Sequence, residues 1–219
     1  MAIPTADELS RNAAFQGLLS VGLGVLPAHA AVIREMDAEQ LHAQQAEVEA
    51  LLAQLRARMR DRSEISEPEL NKLAGLAGLP PATIRAIGER VLTQGTQLNQ
   101  AFPDLQSLDN RTKFMLIFDA LRRDEAAMAV VKRVAVESAD DDPSSACKAG
   151  CLVDFILALI DAQIDALNRM MACYALVFPP LVMLCAAIMI AIMIYEMNKA
   201  NDIYTKCVLD CQEGSPGQG

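Results

Sequence analysis

Residues 147–211 decide the fold of this chain and read CKAGCLVDFILALIDAQIDALNRMMACYALVFPPLVMLCAAIMIAIMIYEMNKANDIYTKCVLDC. Their six cysteines are mirror images about Pro179, because three pairs of residue numbers each sum to 358: Cys147 with Cys211, Cys151 with Cys207, and Cys173 with Cys185. Of the fifteen pairings that six cysteines allow, only this nested one keeps a single turn and a constant register. Pro179-Pro180 supply a turn that a helix does not continue through. The stretch therefore predicts an antiparallel helical hairpin stapled by three disulfides.

Paired cysteines indicate an oxidising compartment. The twin C-x3-C spacing at the hairpin base, carried by Cys147, Cys151, Cys207 and Cys211, resembles that of small disulfide-stapled helical hairpin proteins. Four thiolates could instead hold zinc, although both histidines are remote and no short zinc knuckle is present. Free thiols buried in a helical core are a further alternative, and would place the protein in the cytoplasm. We expect disulfides, no metal ligands, and a membrane-associated, extracellular or cell-envelope protein.

The turn of the hairpin is strongly apolar. Residues 170–195 contain no charged side chain. The cysteines of each arm are 22 residues apart, which is roughly 33 Å of helix and close to the thickness of a bilayer core. We expect an apolar tip that meets a membrane or other subunits, formed by Met170, Met171, Tyr174, Leu176, Val177, Phe178, Pro179, Pro180, Leu181, Val182, Met183, Leu184, Ile188, Met189, Ile190, Ile192, Met193 and Ile194.

The first arm also carries charges, which cost roughly 2.5–3.5 kcal/mol each at a bilayer centre. This arm should therefore not lie alone in lipid. Asp154, Asp161 and Asp165 follow the cysteines at helical spacing and form a polar seam, which faces the partner arm, water or a lumen. The mirror rule places three pairs side by side: Asp154 with Tyr204, Ala158 with Ala200, and Asp165 with Met193.

We divide the chain into an amino-terminal helical domain (1–139), an acidic and serine-containing linker (140–146), the hairpin (147–211) and a disordered tail (212–219). The first domain is predicted to be helical throughout, with a long helix over about 33–62 and another, capped by Ser107 or Asp109, that continues to about Glu137. The apolar segment 13–33 ends in Ala28-His29-Ala30, which resembles a signal-peptide cleavage site. A signal peptide begins with a basic region, whereas this chain has Asp7 and Glu8 there. We therefore expect an apolar helix that docks on the rest of the protein.

Residues 72–87, KLAGLAGLPPATIRAI, follow a capping box at Ser66 and resemble a repressor-type helix-turn-helix. The helix-turn-helix-like corner covers 66–92. The resemblance implies that the second helix enters the major groove and that Thr83 and Arg85 contact DNA. An ordinary corner between two helices fits the same residues. The net charge of −9 favours that corner over a nucleic-acid partner.

Enzymatic motifs are absent from the sequence. It has no phosphate-binding glycine loop, no Gly-x-Ser-x-Gly elbow and no His-Glu-x-x-His helix, so we expect no catalytic residues, no cofactor and no small-molecule substrate. We expect an all-α, non-enzymatic protein that interacts with membranes, as a toxin-like or pore-forming module. One alternative is a self-assembling structural protein that buries the apolar hairpin between like subunits in a homo-oligomer. The second alternative is a helix-turn-helix regulator.

Overall fold

A computed structural model describes residues 3–138, 146–173, 176 and 178–213. Within these residues the protein is all-α and has no strand, as the sequence predicts. The helices are α1 (Ala6–Ser10), α2 (Ala13–Arg34), α3 (Ala38–Arg60), α4 (Glu67–Ala77), α5 (Pro81–Ala101), a short 3-10 helix (Pro103–Ser107), α6 (Asn110–Arg123), α7 (Glu125–Ser138), α8 (Ala146–Cys173) and α9 (Pro179–Glu213).

The carboxy-terminal hairpin is confirmed. Helices α8 and α9 pack side by side, and three nested disulfides join Cys147 to Cys211, Cys151 to Cys207, and Cys173 to Cys185. The proline pair lies differently from our expectation, because it begins α9 instead of forming the turn. Proline suits this place, since the first turn of a helix has amide positions without an internal partner and needs the φ angle that proline fixes.

Two long helices of the amino-terminal part are interrupted where the sequence predicts continuity. The predicted helix over 33–62 is divided, because α2 ends at Arg34 and α3 begins at Ala38. Asp37 starts α3 by accepting a hydrogen bond from the Gln40 amide at 2.8 Å. Asp124 ends α6 with an extended backbone, and its carboxylate accepts from the Ala127 amide at 2.9 Å in the first turn of α7. Both breaks are therefore made by an aspartate that caps the following helix.

The corner between α4 and α5 depends on Gly78. This residue has a φ of 67° and closes the end of α4. A Cβ atom there would lie 2.7 Å from the carbonyl oxygen of Ala28, so the corner also packs directly on the backbone of α2. The capping box at Ser66 and Glu69 is present at the start of α4.

The hairpin lies at the centre of the helical packing. Helix α9 contacts α3, α4 and α5 as well as α8, and α8 in turn contacts α2, α5, α6 and α7. Buried apolar side chains of the hairpin and of the amino-terminal helices form one continuous core. The predicted linker falls almost wholly on residues 139–145, and most of the predicted tail on 214–219, which lie outside the described residues; α9 itself continues to Glu213.

Candidate functional site

The two arms of the hairpin are held in close contact along their length. The Cα atoms of the three disulfide-bonded pairs are 5.9, 5.8 and 5.7 Å apart. Between the outer and inner disulfides, the Phe155 and Tyr204 rings stack with centroids 5.1 Å apart. Ala158 and Ala200 line the same small cavity beside them. Small side chains at this level let the helices approach to the distance that disulfides require.

The apolar tip is mostly buried. The buried residues of the tip are Met170, Met171, Val182, Leu184, Met189, Ile190, Ile192, Met193 and Ile194, whereas Leu176, Pro180, Leu181, Met183 and Ile188 are partly buried. Phe178 and Pro179 are exposed, with Phe178 at 52%. Tyr174 and Val177 of the predicted tip lie outside the described residues. The apolar surface therefore reaches solvent at the turn and is covered further along the arms.

We call the four helices α2, α3, α4 and α5, which contact α9, the cover. The backbone of α5 comes very close to α9 at Gly88, where an added Cβ would overlap the sulfur of Met183. Near the turn, the Gln106 side-chain amide donates to the carbonyl oxygen of Met171 at 3.0 Å. This hydrogen bond satisfies one of the carbonyl groups that the end of α8 leaves without a helical partner.

A buried polar cluster joins the cover to α9. His29 of α2 is completely buried; its Nδ1 lies 2.8 Å from the carbonyl oxygen of Leu76 and its Nε2 lies 2.7 Å from Oδ1 of Asn198 on α9. The Asn198 amide donates in turn to Oε1 of Gln44 on α3 at 3.1 Å. Burial lowers the pKa of the His29 imidazole, and the hydrogen bonds to Asn198 and Leu76 offset part of that effect. The contact between the cover and the hairpin therefore depends on the protonation state of His29.

Proton placement in this cluster depends on the charge of the ring. A carbonyl oxygen can only accept, so Nδ1 of His29 carries a proton toward Leu76. When the ring is charged, Nε2 also donates, and the Asn198 oxygen accepts as placed. When the ring is neutral, Nε2 must accept, which requires the amide groups of Asn198 and Gln44 to be turned by 180°. The cluster can accommodate both states by rotation of two side-chain amides.

The acids of the predicted polar seam lie at the solvent side of the hairpin. Asp154 and Asp161 are exposed and Asp165 is partly buried. Asp161 and Asp165 line an open groove of about 440 Å³ together with Glu196 and Lys199 of α9. Partial desolvation raises the pKa of the Asp161 carboxyl, and Asp165 accepts a hydrogen bond from Nε of Arg169 at 2.6 Å. The seam faces water in this conformation.

Two of the three mirror pairs lie beside one cavity of the hairpin. One cavity is lined by Asp154 and Tyr204 and by Ala158 and Ala200. The third predicted pair, Asp165 with Met193, stays a prediction: Met193 accepts a weak hydrogen bond from Gln163, and Asp165 lines the groove with Glu196 and Lys199. The constant register that nested disulfides impose is the reason for the first two pairings.

The residues proposed for DNA contact lie at the start of α5. Thr83 is partly buried, and Arg85 is exposed and forms an ion pair with Glu67 of α4. The buried face of α5, with Ile84 and Val91, belongs to the core that includes α2 and α9. This corner is thus part of the cover, and DNA contact through Thr83 and Arg85 stays a prediction.

The buried polar cluster was not predicted from the sequence. His29 was considered only within a signal-like segment and as a histidine remote from the cysteines, and Gln44 and Asn198 were not singled out. A usable signal was present: a histidine in an apolar helix and an asparagine three residues after the charge-free stretch both need hydrogen-bond partners when they are buried. Which partners they meet depends on tertiary packing.

Comparison with protein-family models, curated proteins and solved structures found no match for this chain. Two helices, Ala13–Arg34 and Pro179–Gln212, are long and apolar enough to cross a membrane by length and composition. The same criteria are met by core helices of soluble proteins, and both helices are about half buried or more. The three disulfides indicate an oxidising, extracellular or envelope environment.

Proposed function

We propose that the protein binds membranes through the apolar tip of its hairpin and that the cover keeps most of that tip out of water beforehand. The observation that carries this proposal is the combination of a charge-free hairpin turn with an exposed Phe178 at its end. A large exposed aromatic side chain beside exposed Pro179 offers apolar area to a lipid surface.

The distribution of charges on the two arms favours insertion of the tip into one leaflet. From Pro179 onward, α9 has no charge until Glu196, which corresponds to roughly 25 Å of helix. On α8, Arg169 lies only four residues before Cys173. Because the Cys173–Cys185 disulfide keeps the arms together, Arg169 limits how deeply both can enter. A headgroup-level position for Arg169 satisfies its charge.

Pore formation is the more demanding version of this function. It would bring Asp165 and Arg169 into the hydrocarbon region, where they would have to pair with each other or line a lumen between several copies. Their ion pair within α8 makes this less costly than two separate charges. The net charge of −9 disfavours anionic lipids, so neutral vesicles are the appropriate target.

The test is flotation of the oxidised full-length protein with phosphatidylcholine vesicles. Phe178→Glu should lower the partition coefficient between vesicles and water about tenfold or more, because burial of a phenylalanine side chain contributes roughly 1.5–3 kcal/mol. Val136→Glu on α7 is the matched control, since Val136 is 57% exposed and Phe178 is 52% exposed. The control should float like the unaltered protein.

Two further outcomes separate the alternatives. Release of a dye trapped inside the vesicles would support a pore, whereas binding without release would support docking. If both variants bind lipid equally, or if the unaltered protein does not bind, the membrane proposal is wrong. Detergent-independent oligomers that Phe178→Glu dissociates would then favour the self-assembly alternative.

A further inference from the structure

Four cysteine sulfur atoms lie at the base of the hairpin, and three of them form a compact group that the Cys147 sulfur joins only through its bond to Cys211. The disulfides Cys147–Cys211 and Cys151–Cys207 are neighbours, and the sulfur atoms of Cys151 and Cys211, which belong to different disulfides, are 3.6 Å apart. The sulfur atoms of Cys151, Cys207 and Cys211 all lie within 4.8 Å of one another. Each helix supplies two cysteines at positions i and i+4, which lie on the same helix face. Both cysteines of a helix therefore point toward the other helix.

We propose that, once these two disulfides are reduced, the four cysteines form a zinc site that takes over the closure of the hairpin base. A tetrahedral Zn²⁺ with Zn–S bonds of about 2.3 Å has sulfur atoms about 3.8 Å apart. The 3.6 Å between the sulfur atoms of Cys151 and Cys211 is already close to this sulfur–sulfur distance. The two sulfur atoms of each bonded pair must move apart to the same distance, and the Cys147 sulfur must approach the other pair. An apolar cavity of about 60 Å³ beside Cys151 and Cys207 gives these two side chains room to move.

The surroundings suit both reduction and metal uptake. Cys147 is exposed, Cys207 and Cys211 are partly exposed, and Cys151 is buried, so one end of the cluster is open to water and reductant. Lys148 directly follows Cys147 and Lys206 directly precedes Cys207 in the sequence, and positive charge near a thiol favours the thiolate form that binds metal. Cys173 and Cys185 lie at the other end of the arms and do not belong to the site.

Reduction of the two disulfides at the hairpin base requires a reductant, and a dithiol can serve as one. For each disulfide, a dithiol donates two electrons and two protons, forms its own disulfide and leaves two cysteine thiols. Zn²⁺ then replaces the four thiol protons and binds four thiolates, which gives a site of net charge −2. The metal closes the same loop as the disulfides, so the hairpin register is the same in both forms.

Cobalt titration of the reduced full-length protein tests this proposal. The protein is reduced with a phosphine, freed of the reductant without air, and titrated with Co²⁺ alone. We expect one Co²⁺ per chain with the intense absorption of tetrahedral cobalt thiolate, and its loss when Zn²⁺ is added. The variant Cys173→Ser with Cys185→Ser should give the same spectrum. The variant Cys147→Ser with Cys211→Ser should lose it.

A second measurement covers the case in which reduction unfolds the protein. Zn²⁺ should raise the thermal unfolding temperature and the helical circular dichroism of the reduced protein, and should leave the Cys147→Ser, Cys211→Ser variant unchanged. The proposal is overturned if the reduced protein, folded or not, takes up no metal. It is also overturned if both double variants bind Co²⁺ with the same spectrum.

Discussion

At the scale of single residues, the burial of His29 makes its protonation part of the free energy of folding. Its ring contacts Leu76 of α4 and Asn198 of α9, with no exposure to solvent. Because burial lowers its pKa, the unfolded chain binds a proton at mildly acid pH that the folded protein binds less well. Cavities next to Asn198 and Leu76 also carry titratable or charged groups, namely Asp37, His42, Glu47, Lys72, Lys199 and Asp202.

We predict that the oxidised protein loses stability as the pH falls. The contribution of His29 is complete above about pH 6.5, the ordinary histidine pKa, and decreases below it toward the lowered pKa of the folded state. Between pH 7.5 and 5 the loss from this residue is at most about 2 kcal/mol, the limit for a histidine that stays neutral when folded. Urea unfolding at a series of pH values measures it.

The chain has two histidines, which provides the control. His29→Gln should flatten the pH dependence between 7.5 and 5, whereas His42→Gln, at an exposed position, should leave it as in the unaltered protein. A slope that persists in His29→Gln would assign the effect to the carboxylates of the surrounding cavities.

At the scale of helices, the contact between α5 and α9 depends on a missing side chain. Gly88 is buried, and a Cβ atom there would lie 3.4 Å from the Cα of Met183 and overlap its sulfur. We predict that Gly88→Ala destabilises the protein by about 1–2 kcal/mol, because overpacking of about 1–3 kcal/mol exceeds the gain of up to about 1 kcal/mol in helix propensity. Urea unfolding at pH 7.5 measures the change.

Gly75→Ala on α4 is the control for this substitution. Gly75 is exposed, and apart from its chain neighbours and the backbone of its own helix no atom lies within 4 Å of the position of an added Cβ. This variant should be stabilised by up to about 1 kcal/mol, since only the helix propensity changes. If Gly88→Ala is also stabilising, Met183 has moved aside and the close approach of α5 to α9 is not required.

Some of the helix contacts and helix ends could be predicted from the sequence, and others could not. The pairing of α8 with α9 follows from the cysteine spacing, because covalent bonds fix the register without reference to other helices. The breaks at Asp37 and Asp124 depend on short-range capping that competes with helix continuation. The apolar pattern around these residues did not indicate whether the helix ends or continues there. The packing of α2, α3, α4 and α5 on α9 depends on shape, as at Gly88, and neither periodicity nor charge indicates it.

At the scale of the whole molecule, the apolar hairpin and its cover form one core although the sequence predicts two parts. The covalent connection between α7 and α8 keeps the cover at a high effective concentration, on the order of millimolar for a short linker. A cover that leaves its place therefore returns to it quickly. Membrane binding by more than the exposed turn requires the buried part of the tip to be uncovered, so the connection should limit the extent of binding.

We predict that cutting this connection increases membrane binding. A protease site inserted between Asp142 and Pro143 allows the folded, oxidised protein to be cleaved in solution. At pH 7.5 without lipid the two fragments should stay together in gel filtration, because the continuous core joins them. With phosphatidylcholine vesicles, the carboxy-terminal fragment should float to a greater extent than the uncleaved protein, since a dissociated cover no longer returns at millimolar effective concentration. Cleaved protein that carries Phe178→Glu should float less, because the turn that first meets the lipid is then charged. Equal flotation before and after cleavage would mean that the cover does not restrain the hairpin, and that the apolar interior of α9 is simply the core of the fold.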